Sequence, residues 1–285
     1  MLLLEYGVMP RIQKALLHNS LKVRFITPIA QKFPSQPLIK HVKLAPHFST
    51  MATSVTTQIP TLKQYTACDI ADALFKLSIP NAGYLPDLTP RTSTSTSIST
   101  STSHTPLIAP ASTVLFASKS KPEANANFPE SNIPKGQHYV DLTEKGTIVV
   151  TQQPEGQQCA VLGGIMALRM RMRGAVGVVV LGRVRDLVEL ESTGLPIWSK
   201  GTSIVGTGAE AKPHAIQIPL DINGTIVKPG DLVFSDATNG VVVIPQDKVD
   251  EVVALLPKLV EADERVKEDV EKGMSVQEAF KKHRG

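Results

Sequence analysis

Apolar residues recur along this chain at two different periods. In "TLKQYTACDIADALFKLSIPNAGYL", Thr61 to Leu85, the residues Ile70, Leu74 and Leu77 fall three and four positions apart, while Asp69 and Asp72 stay off that stripe. The spacing predicts an amphipathic helix packed on a core and ended before Pro80, whose ring cannot continue it. Near the other end, Val249, Val252, Val253, Leu256, Leu259 and Val260 share one face of a helix over Asp247 to Lys272, interrupted by Pro257. A short further helix is expected from Ser275, where Glu278 three residues on completes a capping box.

The middle of the chain is built from shorter apolar runs. "ASTVLFAS" (Ala111 to Ser118) and "GTIVVTQ" (Gly146 to Gln152) have strand composition, joined by the polar connection "KPEANANFPESNIPKG". "CAVLGGIMALRMRMRG" then reads as helix with Gly174 as its stop, and "AVGVVVLG" as a buried strand with little alternation. "GLPIWSKG", "SIVGTG" and "AIQIPLDI" are all β-like. Turn signals at Pro229-Gly230 and Asn239-Gly240 bracket strands Leu232 to Ser235 and Val241 to Ile244. Helix and strand alternating between glycines predict an α/β class, with a β-rich second half.

Composition removes two segments from this core. "RTSTSTSISTSTSHTP", 91–106, has almost nothing to bury and cannot offset its ordering entropy, so a mobile loop is expected. Residues 1–50 hold seven Lys or Arg against the single acid Glu5, the composition of an organelle presequence. Three readings stand: a mitochondrial import signal, an upstream extension of a protein starting at Met51, or a structured arm. Localisation follows the choice, mitochondrial for the first and cytoplasmic otherwise. What remains is one domain, 61–285. Outside residues 1–50 there are 23 basic and 25 acidic residues, so the basic balance belongs to the tail and gives the body no call for nucleic acid. No window of 18 or more uninterrupted apolar residues suggests a membrane span. Two cysteines, Cys68 and Cys159, are too few for a disulfide framework or a thiolate metal site.

The candidate chemistry gathers in "GGIMALRMRMRGAVGVVVLGRVRD", Gly163 to Asp186. At a loop-to-helix junction, Gly163 and Gly164 let backbone approach a ligand, and the N–H groups of Ile165 and Met166 would form an anion cradle. A tight turn without a ligand is the plain alternative. Arg185-Asp186 follows the strand, at the edge where open α/β sheets tend to place ligands. Arginine can grip a carboxylate with two hydrogen bonds, and aspartate offers hard oxygen to Mg²⁺ or Mn²⁺; taken alone, the pair also reads as a surface ion pair. Twenty residues separate Gly164 from Arg185, about what one helix and one returning strand need to bring the two together. Lys200 in "WSKG" could lend positive charge to an anionic substrate or be a surface lysine, Asp231 and Asp236 are expected to serve turns, and Trp198 to pack in a core or interface. The seven histidines show no paired ligand spacing.

With Gly164, twenty residues, Arg185-Asp186 and, after Leu187-Val188, Glu189, the chain resembles the 4-hydroxy-4-methyl-2-oxoglutarate aldolases, which share a fold with the protein regulators of ribonuclease E activity. "DIADAL", "GYLPDLTP", "GLPIWSKG" and "VKPGDLVFSDATNGVVVIP" extend the likeness from about Thr61 to Gly285, apart from the Ser/Thr stretch. The resemblance implies a swivelling β/β/α sandwich-like α/β domain with C-terminal helices, assembled as a homotrimer or homohexamer with sites between subunits. It implies Mg²⁺ or Mn²⁺ on Asp186, and a 2-oxo acid carboxylate held by Arg185 and the amides of Ile165 and Met166 beside Gly163 and Gly164. Arg185, Asp186 and Glu189 are then the catalytic residues, and pyruvate the product.

One departure bears on the reaction. Aldolases of this family often carry an acid where this chain has Gly164, and that acid helps to organise water. Retro-aldol cleavage must take a proton from the C4 hydroxyl, whereas oxaloacetate decarboxylation needs only an electron sink. The expectation is that oxaloacetate decarboxylation tolerates Gly164 better than aldol cleavage does, with Glu189 either taking over part of the role or remaining a solvated helix acid. Two other readings stand beside this lyase: a non-catalytic regulatory binding protein, against which the retained Arg185, Asp186 and Glu189 argue, and the same mechanism on another 2-keto acid. A methyltransferase reading has no glycine-rich nucleotide loop to support it.

Overall fold

The computed structural model describes residues 55–93, 105–120 and 128–284, so segment 1–50 and most of the Ser/Thr stretch lie outside the described residues. The Ile70–Leu74 stripe belongs to the second of two helices where one is expected: α1 (Ile59–Leu62) and α2 (Ala67–Lys76). Thr66 separates them. Its side chain accepts the Asp69 N–H while the Asp69 carboxylate accepts the Thr66 N–H, and this capping box starts a new helix.

The chain continues through β1 (Tyr84–Leu85), β2 (Thr89–Pro90), β3 (Leu107–Ser118), β4 (Ile148–Gln152), β5 (Ala160–Leu162), α3 (Gly164–Arg173), β6 (Gly177–Val184) and α4 (Leu187–Ser192). Then come β7 (Ile197–Thr202), β8 (Ala211–Ile216), β9 (Leu220–Ile222), β10 (Thr225–Val227), β11 (Leu232–Asp236), β12 (Gly240–Ile244), α5 (Val249–Glu271) and α6 (Val276–His283). One large mixed sheet runs β1-β12-β11-β3-β4-β6-β7-β2, with β5 on β6 and β8 on β3, while β9 and β10 pair separately. Strand β3 joins its two halves: Leu107–Pro110 pairs antiparallel with β11, and Ala111–Leu115 pairs parallel with β4. Around β6 the neighbours β4, β5 and β7 are all parallel.

Burial on both faces explains why the valine run does not alternate. Val178 and Val180 pack with Ala167, Met170 and Leu190 from α3 and α4. Val179 and Leu181 point the other way, among Trp198, Leu220, Ile222 and Val227. A third layer seats α2 and α5 on β11 and β12 through Ile70, Leu74, Phe234, Val242, Val252 and Leu256. The mixed α/β class with C-terminal helices expected above is the observed architecture.

Three local expectations are corrected. Ala160–Leu162 is strand β5, not the start of the helix, because it pairs with β6 at Arg183 and Val184. Most of "SIVGTG" is loop, ending in a short 3-10 turn from Thr207, and it reaches a strand only through the bridge Ala160 to Gly206. Helix α5 runs through Pro257 without a break. The proline removes one backbone hydrogen bond at about 3 kcal/mol, but it sits on the exposed face. Ahead of it, on the core face, Val252 and Leu256 are fully buried, at roughly 1.5–3 kcal/mol each. Gly174 does stop α3, with φ 94°, and Ser275 and Glu278 form the expected capping box on α6.

Candidate active site

Strand β6 ends at Val184 and delivers Arg185 and Asp186 to the carboxyl edge of the parallel strands. Asp186 takes a left-handed backbone, φ 59° and ψ 48°, a conformation that Asp and Asn tolerate better than most residues. That turn lets α4 start immediately after the strand. The Arg185 N–H donates to Leu162 O at 3.0 Å, which ties the end of β5 to the same edge. Beyond β5, Gly163 is extended (φ −137°) and α3 begins at Gly164.

The chain thus brings the helix start and the Arg-Asp pair together. The Gly164 N–H donates to Asp186 Oδ2 at 3.4 Å, and Arg185 Nε lies 3.3 Å from the same oxygen. Both charged side chains stay about two-fifths exposed, at 43% and 37%, so the pair is reachable by a ligand. The glycines leave the space that these side chains occupy. A Cβ at Gly163 would lie 2.7 Å from Asp186 Oδ2; one at Gly164 would overlap the Glu189 carboxylate and lie 2.5 Å from Glu189 Cβ. Glu189 thus lies directly over Gly164. In α3 the first helical bond runs from Ala167 N–H to Gly163 O, so the amides of Gly164, Ile165 and Met166 have no acceptor within the helix.

Gly163, Ile165, Met166, Arg185 and Asp186 line one open cavity of about 490 Å³. Its other walls come from residues that local pattern does not single out: Phe116, Lys119, His138, Tyr139, Gly206–Gly208 and Lys212. Tyr139 stacks edge-on against Phe116 with centroids 5.4 Å apart and donates its hydroxyl to Val161 O at 3.4 Å. Burial pushes its phenol up, so it is a neutral wall. The Gly206–Gly208 loop is pinned where Thr207 Oγ1 donates to Ala160 O at 2.6 Å and Ala160 N–H to Val205 O at 2.8 Å. Just beyond it, the Glu210 carboxylate accepts the N–H groups of Cys159 and Gln158, at 2.6 and 2.7 Å, which hold it below the usual carboxylate range. The pattern of "SIVGTG" points only to strand, and nothing local marks Lys119 or His138.

Lys200 is not in this cavity; it lines a neighbouring one with Gln153, Gly182 and Arg183. Trp198 is core, 2% exposed. Asp231 accepts Lys228 N–H and Gln246 N–H, and Asp236 accepts Thr238 N–H and Asn239 N–H, so both serve turns. Among the described residues no three His, Cys, Asp or Glu side chains converge. Asp186 is one hard carboxylate, partly exposed on an open cavity, which suits Mg²⁺ because that ion keeps several waters and accepts one or two carboxylates.

A family model described as RraA-like, Aldolase/RraA, matches residues 67–243. The chain is 30% identical over 173 residues to Protein DlpA of Legionella pneumophila, covering 61% of this chain and 27% of that one. It is 28% identical over 123 residues to a Halalkalibacterium halodurans protein provisionally named 4-hydroxy-4-methyl-2-oxoglutarate aldolase, covering 43% of this chain and 57% of that one. The match therefore spans less than two thirds of either relative. The crystal structure of Streptomyces coelicolor RraAS2, described as an unusual member of the RNase ES inhibitor RraA protein family, superposes with a TM-score of 0.56 at 24% identity. It covers 76% of this chain and 96% of that one, a likeness of fold.

Proposed function

The chain belongs to the RraA-like family, and from that premise we propose that it is a divalent-metal-dependent lyase releasing pyruvate from a 2-oxo acid. The observation that carries the reading is the meeting of the α3 N-terminus with Arg185-Asp186 in one cavity, through Gly164 N–H and Asp186 Oδ2. The aldolase name of the Halalkalibacterium relative supports the reaction class.

Each residue of the cavity edge has a part in this reading. Arg185 and the N–H groups of Ile165 and Met166 hold the substrate carboxylate, the first by a two-pronged hydrogen bond and the others at the positive end of a helix. Asp186 would hold Mg²⁺ or Mn²⁺, which when bound supplies Lewis acidity toward the 2-oxo group, the electron sink that carbon–carbon cleavage needs. Close packing of Gly163 under Arg185 and Asp186 keeps the two charges in fixed relation. Glu189, standing over Gly164 where family aldolases often have an acid, is suited to accept the C4 hydroxyl proton directly or through water. Oxaloacetate decarboxylation makes no such demand and is the less exacting of the two reactions.

Assembly as a homotrimer or homohexamer is part of the proposal. Ile165, Leu168 and Met172 on α3, Leu187 and Val188 on α4, and Ile204 and Val205 beside the cavity are large apolar residues left exposed, the kind of surface that a neighbouring subunit covers. The deciding assay follows pyruvate from oxaloacetate and from 4-hydroxy-4-methyl-2-oxoglutarate, with Mg²⁺, with chelator, and with Asp186→Ala. Loss of turnover in both controls is expected. Turnover that survives chelator and Asp186→Ala, or no turnover of either substrate by folded protein with Mg²⁺, would overturn the reading.

A further inference from the structure

The cavity carries more positive charge than one substrate carboxylate calls for. Lys119, Arg185 and Lys212 line it against one carboxylate, Asp186. The acid of the neighbouring loop, Glu210, is committed to the amides of Gln158 and Cys159. Lys119 enters from the end of β3, far in sequence from the Gly163–Asp186 unit, and it is held in place. Its N–H donates to Glu210 O at 2.8 Å and its Nζ to Gly208 O at 2.6 Å.

That second bond fixes the ammonium relative to Arg185. A Cβ at Gly206 would lie 3.0 Å from Arg185 Nη1, so Arg185 closes on one end of the Gly206–Gly208 loop while Lys119 is tied to the other. Two residues of chain span at most about 7 Å. An ammonium has three donors, so the bond to Gly208 leaves two. Lys119 is therefore a tethered cation with donors to spare, within about a dozen ångströms along the cavity of the group that takes the first carboxylate.

Resting on the lyase reading for the pyruvoyl end, we infer that Lys119 selects for a second, distal carboxylate, so that the site prefers 2-oxo dicarboxylates over 2-oxo monocarboxylates of the same length. Lys212, exposed on the same wall, adds to the field without the tether. Preference comes from placing one charge opposite another in a fixed geometry, and a charge-assisted hydrogen bond of this kind amounts to about tenfold or more in affinity.

The test uses 2-oxoglutarate and 2-oxopentanoate, equal in length, differing in the distal carboxylate, and lacking both the 4-hydroxyl and the β-carboxylate that cleavage needs. Calorimetric titration of the full chain with Mg²⁺ present should show 2-oxoglutarate binding about tenfold tighter. Lys119→Met should bring the two ligands together by weakening 2-oxoglutarate alone, and Lys119→Arg should keep most of the preference. Equal binding of both acids by the wild type, or a preference that survives Lys119→Met, would sink the role of Lys119 and leave the pyruvoyl end standing. Loss of both ligands in Lys119→Met would assign the lysine to holding the Gly206–Gly208 loop instead. Wild-type protein that binds neither acid would overturn the lyase reading and this inference with it.

Discussion

Replacing Gly164 by alanine puts a methyl group into space that the Glu189 side chain occupies. The new carbon would overlap the Glu189 carboxylate and stand 2.5 Å from Glu189 Cβ. The carboxylate can swing aside, but Cβ is fixed to the backbone of α4. Carbon atoms settle at about 3.5–4.0 Å, so α4 and the start of α3 must separate by roughly 1 Å. Helix α4 begins directly after Asp186, so this movement carries Asp186 and Arg185 away from the Ile165 and Met166 amides. A displacement of that size at a reacting centre costs on the order of 100-fold in rate.

Stability should change much less. Overpacking costs about 1–3 kcal/mol, and alanine is favoured over glycine inside a helix by roughly 1 kcal/mol. The net is about 0–2 kcal/mol, a fall in Tm of at most about 8 °C for a domain of this size. The assay pairs calorimetric melting with pyruvate release from oxaloacetate. Gly164→Ala with wild-type turnover would refute the argument that Glu189 packing over Gly164 sets the position of the Arg-Asp pair.

Two further outcomes follow from particular contacts. Glu189→Gln keeps the packing over Gly164 and removes the basic oxygen, so Tm should hold while 4-hydroxy-4-methyl-2-oxoglutarate cleavage falls about 100-fold or more and oxaloacetate decarboxylation changes little; equal losses on both substrates would remove Glu189 from proton transfer. Lys282 and His283 hold the Asp269 carboxyl down at about 2. Because the folded value lies below the ordinary one, the support this carboxylate gives α6 is complete above about pH 4 and is lost as pH falls toward 2. Amide exchange in α6 should be faster in Asp269→Asn than in wild type at pH 7, and the two should converge near pH 2; equal exchange at pH 7 would show that the contact does not hold the helix.

The elements legible beforehand are those whose cause is local. Ile70 and Leu74 mark a buried helix face, Gly174 a helix stop that needs positive φ, and Ser275 with Glu278 a cap, each satisfied within one turn of chain. Their neighbours depart from the local pattern where a distant partner decides. Ala160–Leu162 has the same apolar composition whether it extends a helix or pairs with β6, and Pro257 is tolerated because the layer under α5 holds the helix on both sides.

For the candidate site the division runs along the same line. Sequence by itself determined the unit from Gly163 to Asp186: two glycines opening a helix, a stop, a buried strand and an Arg-Asp pair, with a spacing that helix rise and strand rise convert into proximity. Tertiary structure alone decided that Glu189 lies over Gly164, that Lys119 is tied to Gly208 across the cavity, and that Lys200 faces a different one. The physical reason is that hydrophobic periodicity and turn chemistry act over a few residues, whereas a cavity wall is the meeting of strand ends whose order in the sheet is set by long-range pairing.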